Sequence, residues 1–226
     1  MHPLDRPVWA SLSTHHESSS VGGPLARRFA RDVNLFASAR DDSPAALAAL
    51  AELLRPGEQV YLLQVPRIVT PPGCLASKDA RGVQMVATRS LHAEEPLEDI
   101  VQLGNADAAE MLALARLAEP GPFLERTHTM GRFLGIRIDG RLAAMAGERM
   151  RLPGYTEVSG VCTHPDFRGR GLARRLSAAV AAGIEARGEQ PFLHAWRSNG
   201  AAISLYESLG FEMRSEVNVL VLERDG

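Results

Sequence analysis

The amino-acid sequence predicts an α+β fold, a mixed and mostly antiparallel central sheet flanked by helices, with a smaller α/β domain ahead of it. Three observations carry that expectation. Leu172, Leu176, Val180 and Ile184 recur at i,i+4 spacing, the stripe of a helix packed on a sheet. Short runs such as "QVYLLQV" (59–65) and "YTEVSGVCTH" (155–164) are bounded by turn-forming residues, as strands are. Several of these runs follow one another through tight turns, which join antiparallel neighbours.

In chain order, helices are expected over residues 23–39 and 44–54 and strands at 59–65 and 83–88. Between those strands "TPPGCLASKDARG" (70–82) reads as a loop from its Pro-Pro-Gly punctuation. The polar stretch 89–99, with Pro96, precedes a new apolar run and divides the chain into domains 1–95 and 96–226. Beyond it, "DIVQLG" (99–104) is a strand, and Asn105 is the expected N-cap of a helix reaching Glu119. Asp139-Gly140 supplies a type I′ hairpin turn, and "RLPG" (151–154) a second hairpin. A helix over 171–187, a strand at 191–196, a helix over 198–209 and strands at 211–215 and 217–223 complete the pattern.

Composition narrows the function. The 226 residues are 45% apolar and 23% charged, ordinary for a globular chain, and the formal charge of -2 offers no bulk attraction for nucleic acid or an anionic membrane. The N-terminus lacks a basic segment followed by an apolar run, and no stretch approaches the ~20 apolar residues that span a bilayer. A cytoplasmic location and a small-molecule partner are therefore expected. Cys74 and Cys162 lie far apart without metal-ligand spacing, so neither a disulfide framework nor a metal site is expected.

The segment "DFRGRGLARR" (166–175) carries the chemistry. It hands a strand to a helix, where backbone N–H groups lack partners and the dipole is positive, so an anion gains hydrogen bonds and field energy together. Gly169 and Gly171 permit close approach and unusual φ angles, and Arg168 and Arg170 add positive charge. A phosphate or pyrophosphate fits such a turn, although neither a Walker loop nor a GxGxxG fingerprint is present.

The order "VCTHP", "RGRGLA" and then "NGAAISLYESLGF" resembles the GCN5-related N-acetyltransferase (GNAT) superfamily, and within it the FR47-like group, over roughly residues 97–224. The resemblance implies a GNAT fold and acetyl-CoA (coenzyme A) as cofactor. It assigns the pyrophosphate to Arg168, Gly169, Arg170, Gly171, Leu172 and Ala173, and the pantetheine arm to Val161, Cys162 and Thr163. Asn199 is assigned to the pantetheine region and Tyr206 to the thiol sulfur as general acid. Asn199, Ala202 and Tyr206 at i, i+3 and i+7 share one helix face, with the small residue leaving a groove. Residues 1–95 resemble the degenerate acetyltransferase-like half of FR47-like and glycine N-acyltransferase-like proteins.

Acetylating an amine requires a neutral nucleophile, hence a base. If "RLPG" is a four-residue connection, Met150 lies opposite Tyr155 and Glu148 opposite Glu157, and like charges across a strand pair raise at least one pKa. Glu157 is the first choice as base, since it resembles the glutamate of the family's fourth strand, and Glu148 the second. His194 reads as a satisfied polar group and Cys162 as a small buried residue, so direct transfer is expected. The loop 120–130 is an expected wall of the acceptor pocket, with Phe123 and Thr127 as candidate contacts. The expected function is acetyl transfer to a primary amine of a small molecule or peptide. The alternative is a silent acyl-CoA-binding sensor or interaction module, and homodimerisation is left open.

Overall fold

The structure, a computed structural model, describes residues 2–89 and 98–225. Its elements are α1 (Pro7–Leu12), β1 (Ser20–Gly22), β2 (Ala26–Phe29), β3 (Ala37–Ala39), α2 (Pro44–Glu52), β4 (Gln59–Gln64), β5 (Cys74–Ala87), β6 (Ile100–Leu103), α3 (Ala108–Ala118), β7 (Phe133–Ile138), β8 (Arg141–Leu152), β9 (Tyr155–Thr163), α4 (Leu172–Glu185), β10 (Gln190–Trp196), α5 (Gly200–Leu209) and β11 (Phe211–Arg224). An eight-stranded sheet runs in the order β4-β11-β5-β10-β9-β8-β7-β6. All neighbours are antiparallel except β9 and β10, which run parallel. The architecture is the mixed, mostly antiparallel α+β sheet that the sequence predicts.

The stripe on α4 does what its spacing requires: Leu172, Leu176, Val180 and Ile184 are buried against Leu134, Ile136, Ala144 and Val158 of the sheet. On the opposite face α3 buries Met111 and Leu114 over Phe133, Met145 and Cys162. The α1 residues Val8 and Leu12 share a core with Phe36, Leu63, Phe192 and Val219. Asp139 (φ 52) and Gly140 (φ 78) form the expected left-handed turn.

The boundary expected at residue 95 lies outside the described residues. Strands from both sides of it share the sheet: β4 and β5 pair with β11, and β5 also with β10. The N-terminal residues thus supply two strands of the main sheet, besides a small sheet β1-β2-β3.

Four local expectations are corrected. Residues 23–39 form β2 and β3 instead of a helix, because a turn after Ala30 folds Ala26 back onto Ala39. That turn is held by Asn34, whose side-chain oxygen accepts from the Phe36 N–H at 3.1 Å. The expected loop 70–82 is strand from Cys74 onward, paired with β11 along its whole length; its polar composition reflects exposure. β11 is one strand, irregular at Arg214, where two were expected. Asn105 does not cap α3; the Asp107 carboxylate accepts from the Gly104 N–H at 3.0 Å.

Candidate active site

The site begins where two parallel strands part. β9 and β10 pair at Tyr155/Gln190, Thr156/Pro191 and Glu157/Phe192 and then separate, β10 staying bonded to β5 as far as Trp196 opposite Gly82. From Val158 to Thr163 the β10-facing edge of β9 has no strand partner among the described residues. Backbone donors and acceptors on such an edge are available to a ligand. A bulge re-aims them: Met145 opposes Cys162 and Gly147 opposes Ser159, leaving Gly160 and Val161 together against Ala146. Gly160 adopts φ +63, and a Cβ there would lie 3.0 Å from the Phe133 ring.

At the end of β9 the chain turns into α4. Gly169 (φ +76) and Gly171 (φ +73) are both left-handed, and a Cβ at either would meet nothing within 4 Å, so backbone conformation alone demands glycine. Gly171 is the N-cap, with no side-chain cap, which leaves the opening N–H groups of the helix facing outward. Arg168 is exposed, and Arg170 lies over the Phe167 ring at 5.3 Å. Leu172 is buried in the core while Ala173 is half-buried. This uncapped, positively flanked turn suits a diphosphate.

A cleft of about 170 Å³ lies where the strands part. Val161 of β9 and His194 of β10 line it together with Asn199, Ala202 and Tyr206. Asn199 stands at the N-cap of α5, its Oδ1 accepting from the Ala202 N–H at 3.1 Å, so the three residues converge by capping as well as by helical repeat. Tyr206 is 8% exposed. Burial, with the Glu157 charge second, pushes its phenol up to about 12 and keeps it a proton donor at neutral pH. Phe36, Tyr61 and Leu63 from the N-terminal region and residues 119–122 beyond α3 close the outer wall. Cys162 is buried on the α3 side, where desolvation pushes its thiol up to about 12, and Thr163 pairs with Ala144.

The charges are arranged differently from the expectation. Leu152 pairs with Tyr155, so the hairpin turns on Pro153 and Gly154 alone, and an extra residue in β8 then sets Glu148 opposite Val158. Glu157 consequently meets Arg149: Nε donates to Oε2 at 2.8 Å and the guanidinium's NH2 to Oε1 at 2.6 Å. Oε1 also lies 2.7 Å from His194 Nδ1. Glu157 is 0% exposed, and burial works to raise its pKa; the Arg149 charge and hydrogen bonds, with His194, overcome that and push it down to about 2. The raised pKa expected from facing glutamates is thereby overturned, because Glu157 faces Arg149 and not Glu148. Glu148 shares the Val158 face toward α4 and pairs with Arg187 at 3.0 Å, so it is not beside the cleft.

His194 is likewise occupied at both nitrogens. Its Nε2 lies 3.0 Å from Gln84 Nε2. Gln84 is oriented by two further bonds, its oxygen accepting from Arg214 at 2.8 Å and its nitrogen donating to the Leu4 carbonyl at 2.9 Å. The amide NH2 therefore faces Nε2, and the Nδ1–H of the ring donates to Glu157.

The candidate acceptor contacts Phe123 and Thr127 have partners within the fold. Phe123 stacks edge-on against Phe133 (centroids 5.7 Å), and Thr127 donates its hydroxyl to the Val33 carbonyl at 2.6 Å; both line a small neighbouring crevice. Glu119, Pro120, Gly121 and Pro122, just ahead of Phe123, line the cleft itself. Sequence reasoning missed Arg149 and Glu119, although the charged "GERMR" run and the Pro-Gly-Pro loop marked both neighbourhoods.

Comparison with known proteins finds acetyltransferases. A family model described as FR47-like protein matches residues 133–220. The ribosomal protein bS18-alanine N-acetyltransferase of Salmonella typhimurium is 34% identical over 115 residues, covering 48% of this chain and 77% of that protein. Its Escherichia coli K12 counterpart is 31% identical over 121 residues, covering 51% and 81%. A solved structure from Novosphingobium aromaticivorans, assigned to the GNAT family of acetyltransferases, superposes over 100% of both chains with a TM-score of 0.93 and 45% identity. A GCN5-related N-acetyltransferase from Kribbella flavida shares the fold at 20% identity, with a TM-score of 0.64 over 100% of this chain and 97% of that one.

Proposed function

The chain belongs to the GCN5-related N-acetyltransferase superfamily, in its FR47-like group, and is an N-acetyltransferase; from that premise we propose that it acetylates the uncharged α-amino group of a peptide or small molecule, using acetyl-CoA. The observation that supports this most directly is the meeting of Val161, Asn199, Ala202 and Tyr206 in one cleft, at the parting of β9 and β10 and beyond the Gly169–Gly171 turn. Residues 168–173 would hold the diphosphate through the uncapped helix end. The open edge at Val161, Cys162 and Thr163 would pair with the pantetheine arm.

Acetyl-CoA supplies the acetyl group as a thioester: the N–C bond forms, the C–S bond breaks, and the proton leaving nitrogen ends on sulfur. Tyr206 serves the leaving side. A phenol at about 12 does not surrender its proton to a thiolate whose acid has an ordinary pKa of about 8.5, so its contribution is a hydrogen bond to the developing charge. N–H groups at the Gly160 bulge would serve the acyl oxygen.

On the amine side, Glu157 is not among the residues lining the cleft and its carboxylate accepts three bonds from Arg149 and His194, while His194 Nε2 faces the Gln84 amide. The amine then has to arrive uncharged. At neutral pH an α-amine with pKa about 7.9 is roughly 300-fold richer in the free base than a lysine side chain at about 10.4. Glu119, a rim carboxylate with no ion pair among the described residues, would draw the ammonium form to the mouth. The bS18-alanine specificity in the names of the curated relatives points to the same acceptor class.

Amine-dependent thiol release tests the reading, comparing alanine-initiated peptides with Nα-blocked lysine. Faster turnover of the α-amine, with a pH profile that follows the acceptor's own pKa, is the expected result. Preference for the lysine side chain would refute the neutral-amine argument. Tight coenzyme binding with no release on any amine would instead support a silent binding module.

A further inference from the structure

We propose that a basic groove beside the cleft is a subsite for an anionic group on the acceptor, a proposal that rests on the acetyl-transfer reading above. The groove, about 630 Å³ and open to solvent, is lined by Lys78, Ala80, Arg81, Trp196, Arg197 and Ser198. Trp196 also lines the Tyr206 cleft, so the two spaces adjoin across one side chain.

The charge is local and largely uncompensated. Arg197 pairs with Glu216. Arg81 bonds the neutral Asn218 oxygen, and Lys78 lies over the Trp196 ring at 4.7 Å with no ion pair among the described residues. Three cations less one paired acid leave two positive charges, in a chain whose overall charge is -2. Asp79, the other acid on this stretch, does not line the groove. Lys78 is the chain's single lysine, and its place over an aromatic ring holds a compact ammonium at the groove.

Two anions could reach these cations, a carboxylate or phosphate on the acceptor or the phosphate of the coenzyme. Position favours the acceptor. The groove lies along β5 and the end of β10, whereas the Gly169–Gly171 turn lies at the end of β9, on the other arm of the parted strands. An acceptor with its amine at Tyr206 would therefore lay the following residues past Trp196 and over Lys78 and Arg197.

The test compares an alanine-initiated peptide bearing glutamate at its second and third positions with its glutamine counterpart, on wild type and on the variants K78Q, R197Q and their combination. Binding to the coenzyme-loaded protein is followed by titration calorimetry. Exposed charge pairs of this kind are worth up to about fivefold each, so the acidic peptide should bind wild type roughly tenfold more tightly. That advantage should shrink with added salt and vanish in the double variant. Equal binding of both peptides to wild type, or an equal loss for both in the variant, would overturn the subsite. So would a weakened Kd for coenzyme A in the double variant with 3′-dephospho-coenzyme A unaffected, which would assign the groove to the coenzyme. The subsite is judged on binding and the transfer reading on thiol release, so the two can fail separately.

Discussion

Replacing Glu157 by Gln should cost stability and leave the shape of the activity profile intact. The wild-type carboxylate is 0% exposed and holds Arg149 through bonds of 2.8 and 2.6 Å and His194 through one of 2.7 Å. Its pKa lies at about 2, against the ordinary 4.5. Because the folded state favours the charged form, this contribution is present above 4.5 and is lost as pH falls through about 2. A displacement of that size corresponds to roughly 3 kcal/mol. Independently, deleting one partner of a buried ion pair costs about 3–5 kcal/mol, since Arg149 would remain buried and only partly satisfied. The two routes agree, and for a chain of this length they imply a Tm lowered by ~6–20 °C. Urea denaturation of wild type and E157Q, stepped from pH 7 to pH 2.5, measures the effect; the acid-linked loss should be smaller in the variant than in wild type by about the Glu157 contribution. The folded variant should show a reduced kcat through misplacement of Arg149 and His194, with an unaltered pH profile. An E157Q protein of undiminished stability that loses the ascending limb of kcat/KM against pH would refute this reasoning and make Glu157 the proton acceptor.

Three further outcomes are expected. Y206F should lower kcat about 10–100-fold, the worth of a hydrogen bond to a charged group, while the calorimetric Kd for coenzyme A stays put. Gly171→Ala places a Cβ at φ +73; it should destabilise the fold by about 1–2 kcal/mol and weaken coenzyme binding, read by thermal shift with and without ligand. His16 is pushed down to about 4 by burial first and neighbouring positive charge second, and its Nε2 accepts from the Arg151 N–H at 3.1 Å. The stability linked to its neutral form is complete above 6.5 and is lost as pH falls toward 4, roughly 3 kcal/mol, a slope that H16Q should flatten in denaturant titrations.

The residues themselves determined what depends on neighbours along the chain. A glycine required at φ +76 or +73 stays a glycine whatever surrounds it, and an i,i+4 stripe buries the same face in any sheet protein. The α4 core, the uncapped turn and the convergence of Asn199, Ala202 and Tyr206 were legible for that reason. Tertiary structure alone decided who faces Glu157. A turn two residues shorter than expected and one extra residue in β8 exchanged Glu148 for Arg149, inverting the charge opposite it and the direction of its pKa. It also decided that Phe36, Tyr61 and the stretch expected as a loop before Val83 belong to the cleft wall and the main sheet, since pairing between residues more than a hundred positions apart leaves no local trace. Strand register and long-range pairing sum many weak contacts across the whole molecule, and a side chain's partner, hence its chemistry, changes with a shift of a single residue.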